Sequence, residues 1–139
     1  MKIRPHHLLC IPRYYKGGYN NKYAKNFKRI CIGIRKNPDQ KIKVTKKCDD
    51  ICIKCPHQLN YICKKRENIN HWIVIMDNKV LKLLKIKNNS THKAKDILNL
   101  SINKIKKKEL KNICKGCEFL PFCIKYNLNK SFIKDINKI

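Results

Sequence analysis

The chain has few acidic residues, since nine Asp and Glu stand against 34 Lys and Arg among 139 residues. The resulting formal charge of +25 excludes an acidic buffer protein. No run of about 18 apolar residues occurs, so no membrane-spanning segment is expected. The opening segment Met1–His7 has no apolar signal-peptide core, and we therefore expect a cytoplasmic protein rather than an exported one.

Several catalytic motifs are also missing. The sequence has only four glycines, and it contains no Walker loop, no dinucleotide-binding glycine fingerprint and no Gly-x-Ser-x-Gly elbow. Nucleotide hydrolysis and serine-hydrolase chemistry therefore have no support. A length of 139 residues is that of one ordinary domain, so residues 1–139 are predicted to form a single domain.

The positive charge has two explanations. A pI near 9.9 is typical of proteins that bind nucleic acid. However, Lys, Ile and Asn supply 29, 21 and 16 residues, and all three have A/T-rich codons, so much of the charge can reflect genome composition. The lysines are spread along the chain instead of clustered. We therefore expect weak, salt-sensitive binding to polyanions rather than specific recognition.

Cysteine is abundant, with nine residues in 139. An odd count without an export signal argues against a disulfide framework, because the cytoplasm keeps thiols reduced. Metal binding is the leading explanation. The cysteines are Cys10, Cys31, Cys48, Cys52, Cys55, Cys63, Cys114, Cys117 and Cys123.

A three-cysteine motif occurs twice. The pair Cys52-x-x-Cys55 is followed by Cys63, and the pair at 114 and 117 is followed by Cys123. Two such pairs strongly indicate an all-sulfur site for zinc or for an iron–sulfur cluster. The pairs are too far apart for a zinc ribbon, whose pairs are usually about 15–20 residues apart. Neither half has the C-x-x-C-x-x-C run of a bacterial ferredoxin.

The N-terminal segment carries further ligand-capable side chains. A helix with Pro5 in its first turn would place His6 and His7 on the same face as Cys10. Each histidine could ligate a metal, donate to a ligand or cluster sulfur, or simply pack and cap the helix. In contrast, Cys31 lies on the apolar stripe of a predicted helix, and we interpret it as a packing residue.

The apolar periodicity predicts a mainly helical α+β fold with one short strand, whose cysteine-rich loops converge on a metal site. Asp49 and Asp50 are expected to form a turn or to cap loop amides. The predicted elements are a helix at about 20–36, a strand at 41–46, a helix at 72–84, a cap-forming break at 88–91 that precedes another helix, a short helix near 109–113, and a helix or frayed tail from Tyr126.

Together these segments resemble the family called domain of unknown function 1284. The resemblance rests on Arg4–Cys10, on Gly18-Tyr19, on Asp49–Pro56 with Cys63, and on Ile113–Cys117 with Cys123. It implies a small prokaryotic protein associated with iron–sulfur clusters, without an assigned activity. The metal ligands that it implies are Cys10, Cys52, Cys55, Cys63, Cys114, Cys117 and Cys123; Cys31 and Cys48 lie outside the motif positions.

Seven motif thiols do not divide into fours. One division joins Cys10 to the motif at 52–63 and leaves three thiolates at 114–123. The other division places both C-x-x-C pairs in one four-sulfur site. The first hypothesis is a protein that holds an iron–sulfur cluster, favouring 4Fe-4S, with an unknown redox or protein partner. The alternative is a structural zinc module that binds a partner or nucleic acid. Whether the protein is an enzyme is left open.

Overall fold

The computed structural model describes residues 1–126 together with Leu128, Phe132 and Lys134. Most of the tail predicted from Tyr126 onward lies outside these residues. The helices are α1 His7–Cys10, α2 Asn21–Lys36, α3 Ile69–Leu84, α4 Ala94–Lys104, α5 Lys107–Ile113 and α6 Leu120–Tyr126. The strands are β1 Lys2–Ile3, β2 Lys41–Val44, β3 Gln58–Leu59, β4 Ile62–Cys63 and β5 Thr91–Lys93.

Two small sheets accompany the helices. The first has the order β1-β2-β5, with β1 parallel and β5 antiparallel to β2. In β2 the residues Ile42 and Val44 are buried while Lys41 and Lys43 are exposed, which is the alternation that predicted this strand. The second sheet is the hairpin β3–β4, which the sequence analysis did not anticipate. The predicted α+β class is confirmed.

Helix α2 agrees closely with the prediction. Its N-cap is Asn20, whose Oδ1 accepts a hydrogen bond from the Tyr23 amide at 2.8 Å, and this satisfies one of the free amides of the first turn. The apolar stripe packs into the core, and Cys31 lies within it. The interpretation of Cys31 as a packing residue is therefore confirmed.

The break at 88–91 has a different structure from the one expected. Ser90 Oγ donates to the carbonyl of Lys87 at 2.5 Å and closes a turn, and residues 91–93 then form β5. Helix α4 starts only at Ala94, and no side chain caps it. Thr91, one of the residues expected to cap the helix, instead lies in β5, where it pairs with Lys43 of β2.

Helix α1 is anchored against α4. Leu8 of α1 and Leu98 of α4 are both fully buried, and the Ser101 hydroxyl donates to the Leu8 carbonyl at 3.0 Å. Because α1 carries His7 and Cys10, this packing positions two of the predicted site residues. Among the described residues, no helix is both long and apolar enough to cross a membrane.

We expect Leu8→Ala to lower the free energy of unfolding by about 2–5 kcal/mol, because it removes buried methyl groups beneath α1 and leaves a cavity. Urea unfolding under anaerobic conditions measures this loss. Leu83→Ala is the matched control, because Leu83 is 40% exposed and its truncation should change stability far less. Equal losses in the two variants would contradict the anchoring role of Leu8.

Candidate metal centre

The N-terminal segment folds as a tight helical turn. The Leu8 amide donates to the Pro5 carbonyl at 3.1 Å, so Pro5 stands at the start of the turn, as predicted. The Cys10 thiol donates to the His6 carbonyl at 3.5 Å. The helix itself begins at His7. His6, His7 and Cys10 thus belong to one short structural unit, in agreement with the sequence analysis.

Asp77 of α3 ties this unit to the long helix. Its carboxylate, which is fully buried, accepts from Arg4 Nε at 3.0 Å and from the second guanidinium nitrogen at 2.7 Å. It also accepts from the His6 amide at 3.1 Å, and it lies 2.7 Å from His6 Nδ1. Burial alone would raise the pKa of Asp77, but His6 and Arg4 outweigh it and lower the pKa below its usual value.

Asp49 connects the N-terminal segment to the first cysteine loop. Its Oδ1 accepts from the amides of Ile51 at 2.9 Å and Cys52 at 3.0 Å, which confirms the predicted capping of loop amides. Its Oδ2 accepts from the Arg4 amide at 2.6 Å and lies 2.6 Å from His7 Nδ1. These partners outweigh burial and hold the pKa of Asp49 well below its ordinary range.

The two histidines are therefore oriented by two buried carboxylates. Because both carboxylates are ionised, Nδ1 of each ring must be the donor, which leaves Nε2 as the second nitrogen of each ring. The ring centroids are 4.2 Å apart. Burial, followed by the proximity of His7, lowers the pKa of His6, so His6 is neutral near pH 7.

Four cysteines form what we call the first thiol group: Cys10, Cys114, Cys117 and Cys123. The thiol of Cys10 interacts electrostatically with the other three. Cys114 follows the end of α5, and the Cys117 amide donates to the Cys114 carbonyl at 2.8 Å. Gly116 within this turn has φ +89°, a conformation that glycine adopts without strain. Cys123 lies on α6.

A buried cation, Arg13, lies near the first thiol group. Burial, followed by the neighbouring thiols, raises the pKa of Cys114 to about 12, and Arg13 opposes this effect. Arg13 is only 3% exposed, and it donates to the carbonyls of Leu9 and Ile105, both at 2.9 Å. Its buried Nε has no hydrogen-bond partner among the described residues. Within the described part of the chain, no carboxylate forms an ion pair with Arg13.

The other four cysteines outside the core form the second thiol group: Cys48, Cys52, Cys55 and Cys63. The thiols of Cys48 and Cys52 influence each other's pKa. Cys55 interacts electrostatically with Cys63 and Cys48. The Cys52 thiol is the largest influence on the pKa of Cys48 and, together with Arg4, lowers it to about 7 against the effect of burial.

Cavities border both thiol groups. One is lined by Cys10, Cys114 and Cys117, and another is lined by Cys52 and Cys55. The side chains of His6, His7, Tyr19, Cys63 and Lys65 line both. Tyr19 is close enough to interact with Cys117 and Cys10 of the first thiol group and with Cys55 of the second. The two histidines therefore face the space between the groups.

This arrangement differs from both divisions considered in the sequence analysis. Cys10 lines a cavity with Cys114 and Cys117, whereas Cys52 and Cys55 line a neighbouring cavity. Whether the seven motif cysteines bind metal stays a prediction. Cys48, which the sequence analysis placed outside the ligand set, interacts with Cys52 and Cys55.

The buried partners Arg4, Arg13 and Asp77 were missed as well. Arg4 had been noted only as part of a motif, and Asp77 lies in a helix of otherwise ordinary composition. A lone carboxylate on the apolar face of a predicted helix, in a chain with so few acids, was the available signal for Asp77.

One compact set of ligand atoms contains a side chain from the second thiol group. Among the described residues, His7, Asp49 and Cys52 form the only group of three or more potential ligands whose atoms all lie within 4.8 Å of one another. The His7–Asp49 hydrogen bond already accounts for two of these three side chains. Among the described cysteines, no three sulfurs all lie within 4.8 Å of one another.

The fold and the two thiol groups define a cysteine-rich α+β protein with candidate metal-ligating residues. The chain belongs to the family described as protein of unknown function (DUF1284), whose model matches residues 18–123. This range includes Cys48 and every predicted ligand except Cys10, which precedes it. No curated protein matches the chain significantly, and no solved structure does so either.

We expect Asp77→Asn to lower the free energy of unfolding by about 3–5 kcal/mol, because it leaves the buried Arg4 charge without its counter-ion. Denaturant unfolding at pH 7 measures the loss. Asp39→Asn is the matched control: Asp39 is an exposed carboxylate that pairs with Lys93 and Lys95, and solvent screens such pairs. If both variants lost the same stability, the buried network would not have the role assigned to it.

Proposed function

We propose that this protein binds an iron–sulfur cluster through the thiolates of the first thiol group and exchanges electrons with a redox partner. The observation that carries the proposal is the convergence of Cys10, from the N-terminal helix, with three cysteines that follow α5 more than a hundred residues later. Cys10 lines one cavity together with Cys114 and Cys117, and another together with Cys123. Four convergent thiols are the donor set of common 2Fe-2S and 4Fe-4S clusters.

The buried Arg13 suits an anionic group at this place. A guanidinium in the interior requires compensating negative charge or hydrogen-bond acceptors. The described residues offer its Nε no acceptor, and the thiols of Cys10, Cys123 and Cys114 are its electrostatic neighbours. Thiolates bound to a cluster would supply the missing negative charge.

The described thiols include no compact set of the size that a single zinc ion requires. A Zn–S bond is about 2.3 Å long, so two sulfurs on one ion are at most about 4.6 Å apart. No three described cysteine sulfurs are all within 4.8 Å of one another. A cluster accommodates a wider set, because each thiolate binds a different iron atom in a 4Fe-4S centre.

The protein's own residues have separate roles in this proposal. Cys10, Cys114, Cys117 and Cys123 would hold the cluster, which supplies one-electron chemistry when bound. Arg13 would balance its charge from the protein interior. His6, held in one tautomer by Asp77, presents a neutral imidazole to the cavity beside the first thiol group, where it can accept a proton.

Anaerobic purification tests the proposal. We expect a brown protein with broad visible absorption and with iron and acid-labile sulfide in equal amounts. A colourless protein with tightly held zinc would support the structural zinc module instead. A folded, native protein that contains neither metal would exclude both.

Two cysteine variants connect metal content to the first thiol group. Cys117→Ser should lose the iron and sulfide of this group, because it removes one of four thiolates. Cys31→Ser is the matched control, since Cys31 lies in the core among apolar side chains, and it should keep the full metal content. Element analysis and circular dichroism report metal and fold separately; equal loss of iron in both variants would contradict the assignment.

Replacing the buried cation should shift the reduction potential. Reduction adds negative charge to the cluster, and a nearby buried cation stabilises that charge. We therefore expect Arg13→Gln to lower the potential in a titration followed by electron paramagnetic resonance. Arg35→Gln, at the exposed end of α2, is the control and should leave the potential almost unchanged. Identical potentials in all three proteins would show that Arg13 does not interact with the bound cluster.

A further inference from the structure

We propose that Cys48, Cys52, Cys55 and Cys63 form a second four-thiolate metal site, separate from the first thiol group. This inference rests on the proposed function and extends it, because it doubles the number of centres and assigns a ligand role to Cys48. The site would take the same soft iron–sulfur chemistry as the first.

Local backbone structure brings the first three of these cysteines together. Cys48 directly precedes Asp49, which caps the amide of Cys52. Residues 52–54 then form a 3-10 turn, in which the Cys55 amide donates to the Cys52 carbonyl at 2.9 Å. The capped turn and the 3-10 turn therefore carry three thiols within eight residues.

The hairpin β3–β4 returns the fourth cysteine to the same place. In this hairpin Gln58 pairs with Cys63, so the strand that leaves Cys55 is followed at once by the strand that ends in Cys63. Electrostatic interaction of Cys55 with both Cys63 and Cys48 joins the two ends of the loop. Cys48 thus interacts with Cys52, and Cys55 interacts with Cys63.

A buried arginine accompanies this group, as one accompanies the first. Arg4 interacts electrostatically with the thiols of Cys52 and Cys48. Its guanidinium is held in place by Asp77. Two of the five arginines in the chain thus lie buried near cysteine thiols, Arg4 near Cys48 and Cys52 and Arg13 near Cys10, Cys114 and Cys123. Arg4 differs from Arg13 in being paired with a carboxylate, Asp77.

The two groups are adjacent but contain different cysteines. Cys10, Cys114 and Cys117 line one cavity, Cys52 and Cys55 line the other, and Cys63 borders both. The nine cysteines thus divide into four, four and the core residue Cys31. Including Cys48 removes the difficulty that seven motif thiols do not divide into fours.

Metal stoichiometry of the anaerobically reconstituted full-length protein tests the second site. We expect Cys48→Ala to hold about half of the wild-type iron and sulfide, as Cys52→Ala should, because one of two centres is lost. The matched control Cys31→Ala should keep the wild-type amount. Electron paramagnetic resonance of the reduced proteins should show loss of one signal in Cys48→Ala and retention of the signal that Cys117→Ala removes.

A second measurement does not depend on the folding of a variant. In the metal-loaded wild-type protein, Cys48 should resist alkylation by iodoacetamide and should react, as detected by mass spectrometry, once a chelator has removed the metal. Rapid alkylation of Cys48 in the loaded protein would overturn its ligand role, as would full iron content in Cys48→Ala.

The failures of the two proposals are distinguishable. Wild-type protein that holds a single centre, lost in Cys117→Ala and unaffected in Cys52→Ala, would overturn the second site and leave the first intact. Loss of the only centre in Cys52→Ala and its retention in Cys117→Ala would instead overturn the assignment to the first thiol group. Wild-type protein without iron would overturn both.

Discussion

Two buried carboxylates hold the functional region of this protein together. Asp77 binds Arg4 and His6, and Asp49 binds Arg4 and His7 and also caps the loop that carries Cys52. In a chain with nine acidic residues and a charge of +25, these carboxylates are buried because paired cations and amides compensate their loss of hydration. Through them the N-terminus, the first cysteine loop and α3 form one polar core.

The thiols depend on this polar core for their placement. Cys10 follows the segment that both carboxylates hold, and Cys52 follows the amides that Asp49 caps. Burial, followed by the neighbouring thiols, raises the pKa values of Cys10 and Cys114, which favours the neutral thiol form of these two residues without a bound metal. A metal would reverse this preference, because thiolates bind it directly and the buried arginines offset their charge.

Local patterns predicted the elements that depend on local interactions. Helix α2 followed from its apolar spacing and its asparagine cap, strand β2 from its alternation, and the turn at Cys114–Cys117 from its motif. The hairpin β3–β4 was not predictable, because its short strands are mostly exposed and show no apolar alternation. Likewise β5 forms only because β2 offers an edge to pair with, and that edge is remote in the sequence.

The amino-acid sequence by itself determined which residues can ligate a metal, the turn geometry of each C-x-x-C pair, and the α+β class. It could not determine which cysteines are neighbours, because that depends on packing between segments more than a hundred residues apart. Tertiary structure alone placed Cys10 beside Cys114, gave Cys48 its neighbours, and put an arginine next to each thiol group. These contacts arise from burial and charge compensation. Both depend on which residues are close in space, so they leave no local pattern along the chain.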